Sequence, residues 1–148
     1  MMRQLLCIFL FLFALPVAAQ ELETAELAIE TRAGEVHTFT VELALTDEQR
    51  ARGLMFREAL AQDAGMLFLY DHEDFRSMWM KNTLIPLDML FIDRRGRIAR
   101  IAARTAPHSE RAINSGRPVR AVLELAGGTA ERLGIRVGDR VIYDGFGN

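Results

Sequence analysis

The feature that most constrains the fold is a succession of short strand-like runs separated by turn residues. Gly, Pro, Asn or Asp residues lie between most of these runs, and no run is long enough for a typical helix. The runs cover residues 25–31, 36–43, 66–70, 75–81, 88–93, 97–104, 119–125 and 139–143. This pattern predicts a mainly β fold, a single compact barrel-like or sandwich-like domain of about eight strands with two short helices. Because no strand–helix–strand alternation is evident, a parallel sheet is not expected.

Two short helices are predicted from their boundaries. Thr46 and Gln49 have the spacing of a capping box, and Gly53 is a natural helix stop, so a helix is expected over 47–52. A second helix is expected over 129–133, ending at Gly134. The stretch 105–117 has no apolar period and is expected to be irregular.

The N-terminus has the three parts of a secretory signal. A short start with Arg3 precedes a 13-residue apolar run from Leu5 to Val17, and Val17-Ala18-Ala19 suits a signal peptidase. A membrane-spanning helix needs about 17–25 residues, so this run is too short for one, although a short retained anchor is the alternative. We expect residues 1–19 to be a cleavable signal peptide and 24–143 to be an exported domain, in the periplasm or outside the cell, with no membrane span after cleavage.

Removal of this segment leaves the remaining domain with fewer reactive side chains. The segment contains Cys7, the single cysteine of the 148-residue chain, so the domain would have no disulfide, no thiolate nucleophile and no cysteine metal ligand. It also contains Arg3 and no acidic residue, so the formal net charge changes from −2 to −3. A negative net charge argues against nucleic acid as a partner, and we expect a monomer.

Several blocks with distinctive residues occur along the chain. They are Arg52-Gly53-Leu54-Met55, Gly65-Met66-Leu67-Phe68, Trp79-Met80-Lys81-Asn82-Thr83, Pro86-Leu87-Asp88, Leu123-Glu124-Leu125 with Gly127, and Gly134-Ile135 through Gly138-Asp139. In this order they resemble the bacterial and archaeal family known as domain of unknown function 192, over about residues 24–143. One position differs from the family pattern: Met78 stands where an aromatic residue is expected before Trp79. The resemblance implies a mainly β fold and frequent export, and it implies no settled activity.

The polar residues inside these blocks are the first candidate site. Lys81 ends a predicted strand, Arg52 ends the capped helix, and Glu124 lies in an otherwise apolar strand, where it shares a face with Val122. A buried carboxylate needs a partner, for which Lys81 or Arg52 is suitable. The functional hypothesis is a polar pocket for a small anion, a sugar or a peptide end, formed by Arg52, Trp79, Lys81, Asn82, Asp88 and Glu124. The alternative is a structural network in which Asn82 and Asp88 cap backbone groups.

A second candidate site is rich in sulfur. Met78 and Met80 alternate with Trp79, and His72 lies six residues before Met78. Thioether and imidazole ligands suit Cu(I), so His72, Met78 and Met80 form an alternative copper site. The competing interpretation is that the methionines fill gaps in the core and His72 lies in a loop.

The sequence contains few signs of an enzyme. There is no Gly-x-Ser-x-Gly motif and no zinc-binding helix, and His37, His72 and His108 are isolated. We therefore expect a non-enzymatic binding or accessory module with no resident cofactor, whose partner is an unidentified small ligand or an envelope protein. A hydrolase with carboxylate catalysts that the sequence does not identify is the remaining alternative.

Overall fold

The structure is a computed structural model that describes residues 22–146. Its strands are β1 (Thr24–Glu30), β2 (Val36–Ala44), β3 (Ala64–Asp74), β4 (Ser77–Met78), β5 (Leu87–Ile92), β6 (Ile98–Thr105), β7 (Ile113–Asn114), β8 (Val119–Ala126) and β9 (Arg140–Ile142). The helices are α1 (Asp47–Arg52), α2 (Thr129–Arg132) and a short 3-10 helix (Asp144–Phe146). The expected mainly β class with two short α-helices is confirmed. The predicted signal peptide, residues 1–19, lies outside the described residues, within which no helix is long and apolar enough to cross a membrane.

Seven strands form one curled sheet in the order β6-β5-β8-β3-β2-β1-β9. Its edge strands β6 and β9 approach each other, and Arg97 and Arg140 form an antiparallel bridge between them. The Val141 amide donates to the Gly96 carbonyl at 2.7 Å beside this bridge. The result is a half-barrel. β4 and β7 form a separate two-stranded sheet.

The central strands β3, β5 and β8 are apolar on both faces. The inner face of the curl holds one core, formed by residues that include Phe39, Leu67, Leu90, Leu123 and Val141. The outer face holds a second core, formed by residues that include Leu54, Met66, Phe68, Met80, Met89 and Val122. Strands that are buried on both faces read as nearly continuous apolar runs, which explains the sequence pattern of 66–70 and 88–93.

Helix α1 begins and ends where its boundary residues predict. Thr46 Oγ1 accepts from the Gln49 amide at 3.2 Å, and Gln49 Oε1 accepts from the Thr46 amide at 3.0 Å. Gly53 ends the helix with φ 50° and ψ −138°, a backbone conformation in which a side chain would be strained. The capping box therefore fixes the position of the last helical residue, Arg52.

The predicted strand over 75–81 is wrong in extent. Only Ser77–Met78 forms a strand, and the chain then turns, with the Thr83 amide donating to the Met80 carbonyl at 3.1 Å. Asn82 has a positive φ of 53°, in the left-handed region rather than the extended region of a regular strand. The apolar alternation of this segment reflects a loop with Met80 buried and Trp79 exposed.

The sheet is mainly antiparallel, in line with the expectation that it is not a parallel sheet, but it contains one parallel pair that the sequence did not indicate. β2 and β3 pair in parallel, from Thr40 opposite Ala64 to Ala44 opposite Phe68. The connection between them contains α1 and crosses the outer face of the sheet. Because α1 has only six residues, its role as a crossover helix is not evident from the sequence.

Asp88 ties together three segments at one end of the sheet. Its Oδ1 accepts from the Arg104 amide at 2.8 Å and from the Gly128 amide at 2.9 Å. Its Oδ2 accepts from the Ala130 amide at 2.8 Å. The side chain is fully buried, so these three backbone donors satisfy a carboxylate that would otherwise be costly to bury.

Replacing Asp88 with Asn is expected to lower the free energy of unfolding by about 1–3 kcal/mol, because one acceptor oxygen becomes a donor facing backbone N–H groups. Urea denaturation of D88N and the wild type measures the change. Asp71 is exposed, so D71N is the matched control and should unfold like the wild type. Equal midpoints for D88N and D71N would contradict this role of Asp88.

Candidate functional site

A narrow crevice opens on the outer face of the sheet, between α1 and the loop that follows β4. We call it the Glu124 crevice. Its lining includes Arg50, Arg52, Leu54, Met55, Phe68, Met78, Trp79, Lys81, Thr83 and Glu124. The space open to solvent-sized molecules is about 30 Å³, enough for about one water molecule or one small functional group. Four of the six residues predicted for a polar pocket, Arg52, Trp79, Lys81 and Glu124, therefore line the same crevice.

Glu124 is a buried ionisable group of this crevice. It lies on β8 opposite Met66 of β3 and Met89 of β5, both fully buried, and only 4% of its surface is exposed. Within residues 22–146 it forms no salt bridge, and no side-chain hydrogen bond to it is found. Burial raises the pKa of Glu124 to about 8. The carboxyl group is therefore mostly protonated at neutral pH and can donate a hydrogen bond.

The expected ion pair between Glu124 and Lys81 or Arg52 is absent among the described residues. Lys81 Nζ lies 3.6 Å from Glu110 Oε1 and 5.0 Å from the centroid of the Trp79 ring. The Arg52 guanidinium lies 5.8 Å from the centroid of the Phe56 ring. Both cations lie at the solvent-exposed border of the crevice, which we call the rim, and they remain partly solvated. The carboxyl group below them is mostly uncharged at neutral pH.

Two exposed aromatic side chains accompany these cations. Trp79 is 47% exposed and Phe56 is 57% exposed, so both rings present apolar surface to solvent. Each lies against one rim cation. The rim therefore presents positive charge and flat apolar surface around a small opening, an arrangement common in ligand sites.

Arg50 is a lining residue that sequence reasoning missed. Its Nη1 donates to the Leu69 carbonyl at 2.8 Å, and its Nη2 lies 2.7 Å from Asp47 Oδ1. Its guanidinium lies 5.0 Å from the Tyr70 ring centroid, and that of Arg76 lies 3.9 Å from it. Burial raises the pKa of Tyr70, and the two arginines partly offset this rise. Residues i and i+2 of a helix point to different sides, so the helical spacing of Arg50 and Arg52 gave no signal for this placement.

Asn82 and Asp88 do not join the crevice. Asp88 follows Leu87 on β5 and faces the opposite side of the sheet from Met89, so it bonds the backbone near α2 as described above. The Asn82 carbonyl accepts from the Phe56 amide at 2.9 Å, and its side-chain nitrogen lies 3.9 Å from Met55 Sδ. Asn82 thus connects the loop after β4 to the segment after α1. Its position fits the structural alternative.

The candidate copper ligands do not form an accessible set. Met80 is fully buried in the outer core, and its Sδ accepts from Thr105 Oγ1 at 3.1 Å. Met78 Sδ accepts from the Tyr70 hydroxyl at 3.9 Å and lines the Glu124 crevice, whereas His72 is exposed on β3. An ion could reach Met80 only if the core opened, so the geometry does not support this hypothesis.

The comparisons with known proteins agree with this fold. The family model DUF192, described as "Uncharacterized ACR", matches residues 28–143. A solved structure from Sinorhizobium meliloti 1021, whose name proposes a transcription regulator, is 46% identical with a TM-score of 0.83 and covers 84% of this chain and 97% of its own. A protein of unknown function from Novosphingobium aromaticivorans DSM 12444 is 41% identical with a TM-score of 0.80 and covers 86% of this chain and 89% of its own. A search of the curated proteins finds no match.

The raised pKa of Glu124 predicts a pH-dependent stability. The folded state holds this proton up to pH about 8, whereas an unfolded glutamate releases it near its ordinary pKa of 4.5. The contribution of Glu124 to the free energy of unfolding is therefore fully present below pH 4.5 and is lost as the pH rises toward 8. In E124Q this loss should be absent, so the variant should gain stability relative to the wild type over that range, by a few kcal/mol in total.

Urea denaturation at a series of pH values measures this difference. Glu26 is exposed on β1, so E26Q is the matched control and should follow the wild-type profile. A constant difference between E124Q and the wild type across the whole range would show that Glu124 is ionised in the folded protein.

Proposed function

The chain belongs to the DUF192 family, and from the geometry of the Glu124 crevice we propose that it is an exported binding module for ligands that carry a carboxylate. The carboxylate enters the crevice, and the attached apolar part lies on the exposed rings outside it. The observation that carries this proposal is that Arg52, Trp79 and Lys81 surround an opening with a buried, protonated Glu124 below.

The size of the crevice limits what can enter it. A space of about 30 Å³ admits one small group and excludes a sugar ring or a nucleobase. The end of a peptide or of a short-chain organic acid has a suitable size. The remainder of such a ligand would lie across the rim, where Trp79 and Phe56 supply apolar contact.

The charges around the crevice favour an anionic group. Arg52 and Lys81 supply charge-assisted donors at the rim, and the protonated Glu124 supplies a neutral donor within the crevice. A ligand carboxylate and a protonated carboxyl group share one proton favourably, while two carboxylates repel each other. Binding should therefore weaken when Glu124 loses its proton above pH about 8.

Hydrolysis has less support from the same geometry. Glycoside hydrolases commonly use two carboxyl groups, and Glu124 is the single carboxyl residue among those that line the crevice in the described part of the chain. Among residues 22–146, no histidine or serine lines it either. Transcriptional control, the role proposed for the Sinorhizobium relative, would call for a basic DNA-binding face, whereas this chain has a formal net charge of −2.

Trp79 allows a direct test, because it is the single tryptophan of the chain and lies on the rim. Titration with straight-chain carboxylates of increasing length should change its fluorescence, with affinity rising as the apolar chain lengthens. In K81Q the affinity should fall about tenfold, the loss expected for one charge-assisted hydrogen bond. In E124Q the neutral donor is retained, so binding should persist and no longer weaken above pH 8.

Two controls make the result specific. R132Q removes an exposed arginine on α2 and should leave the affinity unchanged. The corresponding straight-chain alcohols lack the carboxylate and should produce no response. If alcohols bind as well as acids, or if K81Q and R132Q behave alike, the proposed function is wrong.

A further inference from the structure

A larger groove lies between the β5–β6 turn and the C-terminal 3-10 helix. We call it the arginine groove. Its volume is about 530 Å³, and its lining includes Arg94, Arg95, Arg140, Tyr143, Asp144 and Phe146. This volume is within the range of about 300–1,000 Å³ that small-molecule sites occupy. In the described part of the chain, the Glu124 crevice and this groove share no lining residue.

The backbone of the turn holds the groove in place. Asp93 Oδ1 accepts from the amides of Arg95 and Arg97, each at 2.9 Å. The Val141 amide donates to the Gly96 carbonyl at 2.7 Å. Gly96 has φ 76°, and a Cβ there would collide with the Val141 carbonyl. This contact fastens the turn to β9 and brings Arg95 and Arg140, which are distant in sequence, to the same groove.

Positive charge dominates the lining. Arg94 Nε lies 3.8 Å from Glu73 Oε2, so its charge is partly compensated. Arg95 and Arg140 are exposed and form no ion pair with a residue of the range 22–146. Asp144 is the single acidic residue that lines the groove within that range. Two guanidinium groups are thus available to an anion, and each can bond a phosphate or a carboxylate through two N–H groups.

Two aromatic rings form the other part of the lining. Tyr143 and Phe146 pack edge to face, with centroids 5.6 Å apart and an angle of 84° between the rings. Both pack against the inner core, which fixes their positions. Aromatic rings and guanidinium planes both favour contact with a flat ring.

We propose that the arginine groove binds a planar aromatic anion, a flat ring that carries a phosphate or a carboxylate. Arg95 and Arg140 bind the anionic group, and Tyr143 and Phe146 contact the ring. The acidic Asp144 and the negative net charge of the chain both oppose a polyanion such as a nucleic acid duplex. This site does not depend on the function proposed for the Glu124 crevice.

Isothermal titration calorimetry of the full chain with four probes tests this site. Adenosine 5′-monophosphate and indole-3-acetate carry both a ring and an anion, and they distinguish a phosphate from a carboxylate ligand. Adenosine and inorganic phosphate each carry one of the two parts. At least one of the first two probes should bind at least tenfold more tightly than adenosine and inorganic phosphate.

The variants R95Q and R140Q should each weaken that binding about tenfold, and both residues are exposed, so the variants should fold normally. R117Q removes an exposed arginine outside the groove and should bind like the wild type. K81Q should also bind like the wild type, which separates this site from the Glu124 crevice.

Several results would overturn the proposal. They are no heat of binding from either ring-bearing anion, equal affinity for adenosine or for inorganic phosphate, and equal affinity of R95Q, R140Q and R117Q. Tighter binding of a short DNA duplex that is lost in R95Q and R140Q would assign the groove to nucleic acid instead.

Discussion

The central strands of the sheet are apolar on both faces, and the outer face must therefore be covered. The inner face is covered by the curl of the sheet itself. On the outer face, burial of Met66, Phe68 and Met89 requires the segment around α1 and the loop that follows β4. The Glu124 crevice lies where these two covering segments meet. The candidate site is thus a consequence of how the second core is closed.

Glu124 places an ionisable side chain in this second core. A carboxylate between Met66 and Met89 would be costly to bury, and the protein avoids this cost by keeping the group protonated rather than by pairing it with a cation. Asp88 shows the other solution, because three backbone amides satisfy its buried carboxylate. The contrast separates their roles: Asp88 is fully buried and its oxygens accept from backbone amides, whereas Glu124 keeps a proton that it can donate.

Local signals predicted much of the fold and part of the site. The capping box of Thr46 and Gln49 and the alternation that pairs Glu124 with Val122 are local, and the structure contains both. The alternation of Met78, Trp79 and Met80 led to a wrong prediction of a strand, because a loop can also alternate between buried and exposed residues. The parallel pairing of β2 and β3, the partners of Asp88 and the proximity of Arg95 to Arg140 depend on contacts between distant segments. No local pattern contains that information.

The central claim is that Glu124 is a protonated donor that faces an incoming carboxylate. The most direct measurement is an NMR titration of its side-chain carboxyl carbon in the protein with and without a bound straight-chain acid. We expect a midpoint at pH about 8 in the free protein, which moves upward when the acid binds. A midpoint near the ordinary glutamate value of 4.5, or one that the acid leaves unchanged, would contradict it.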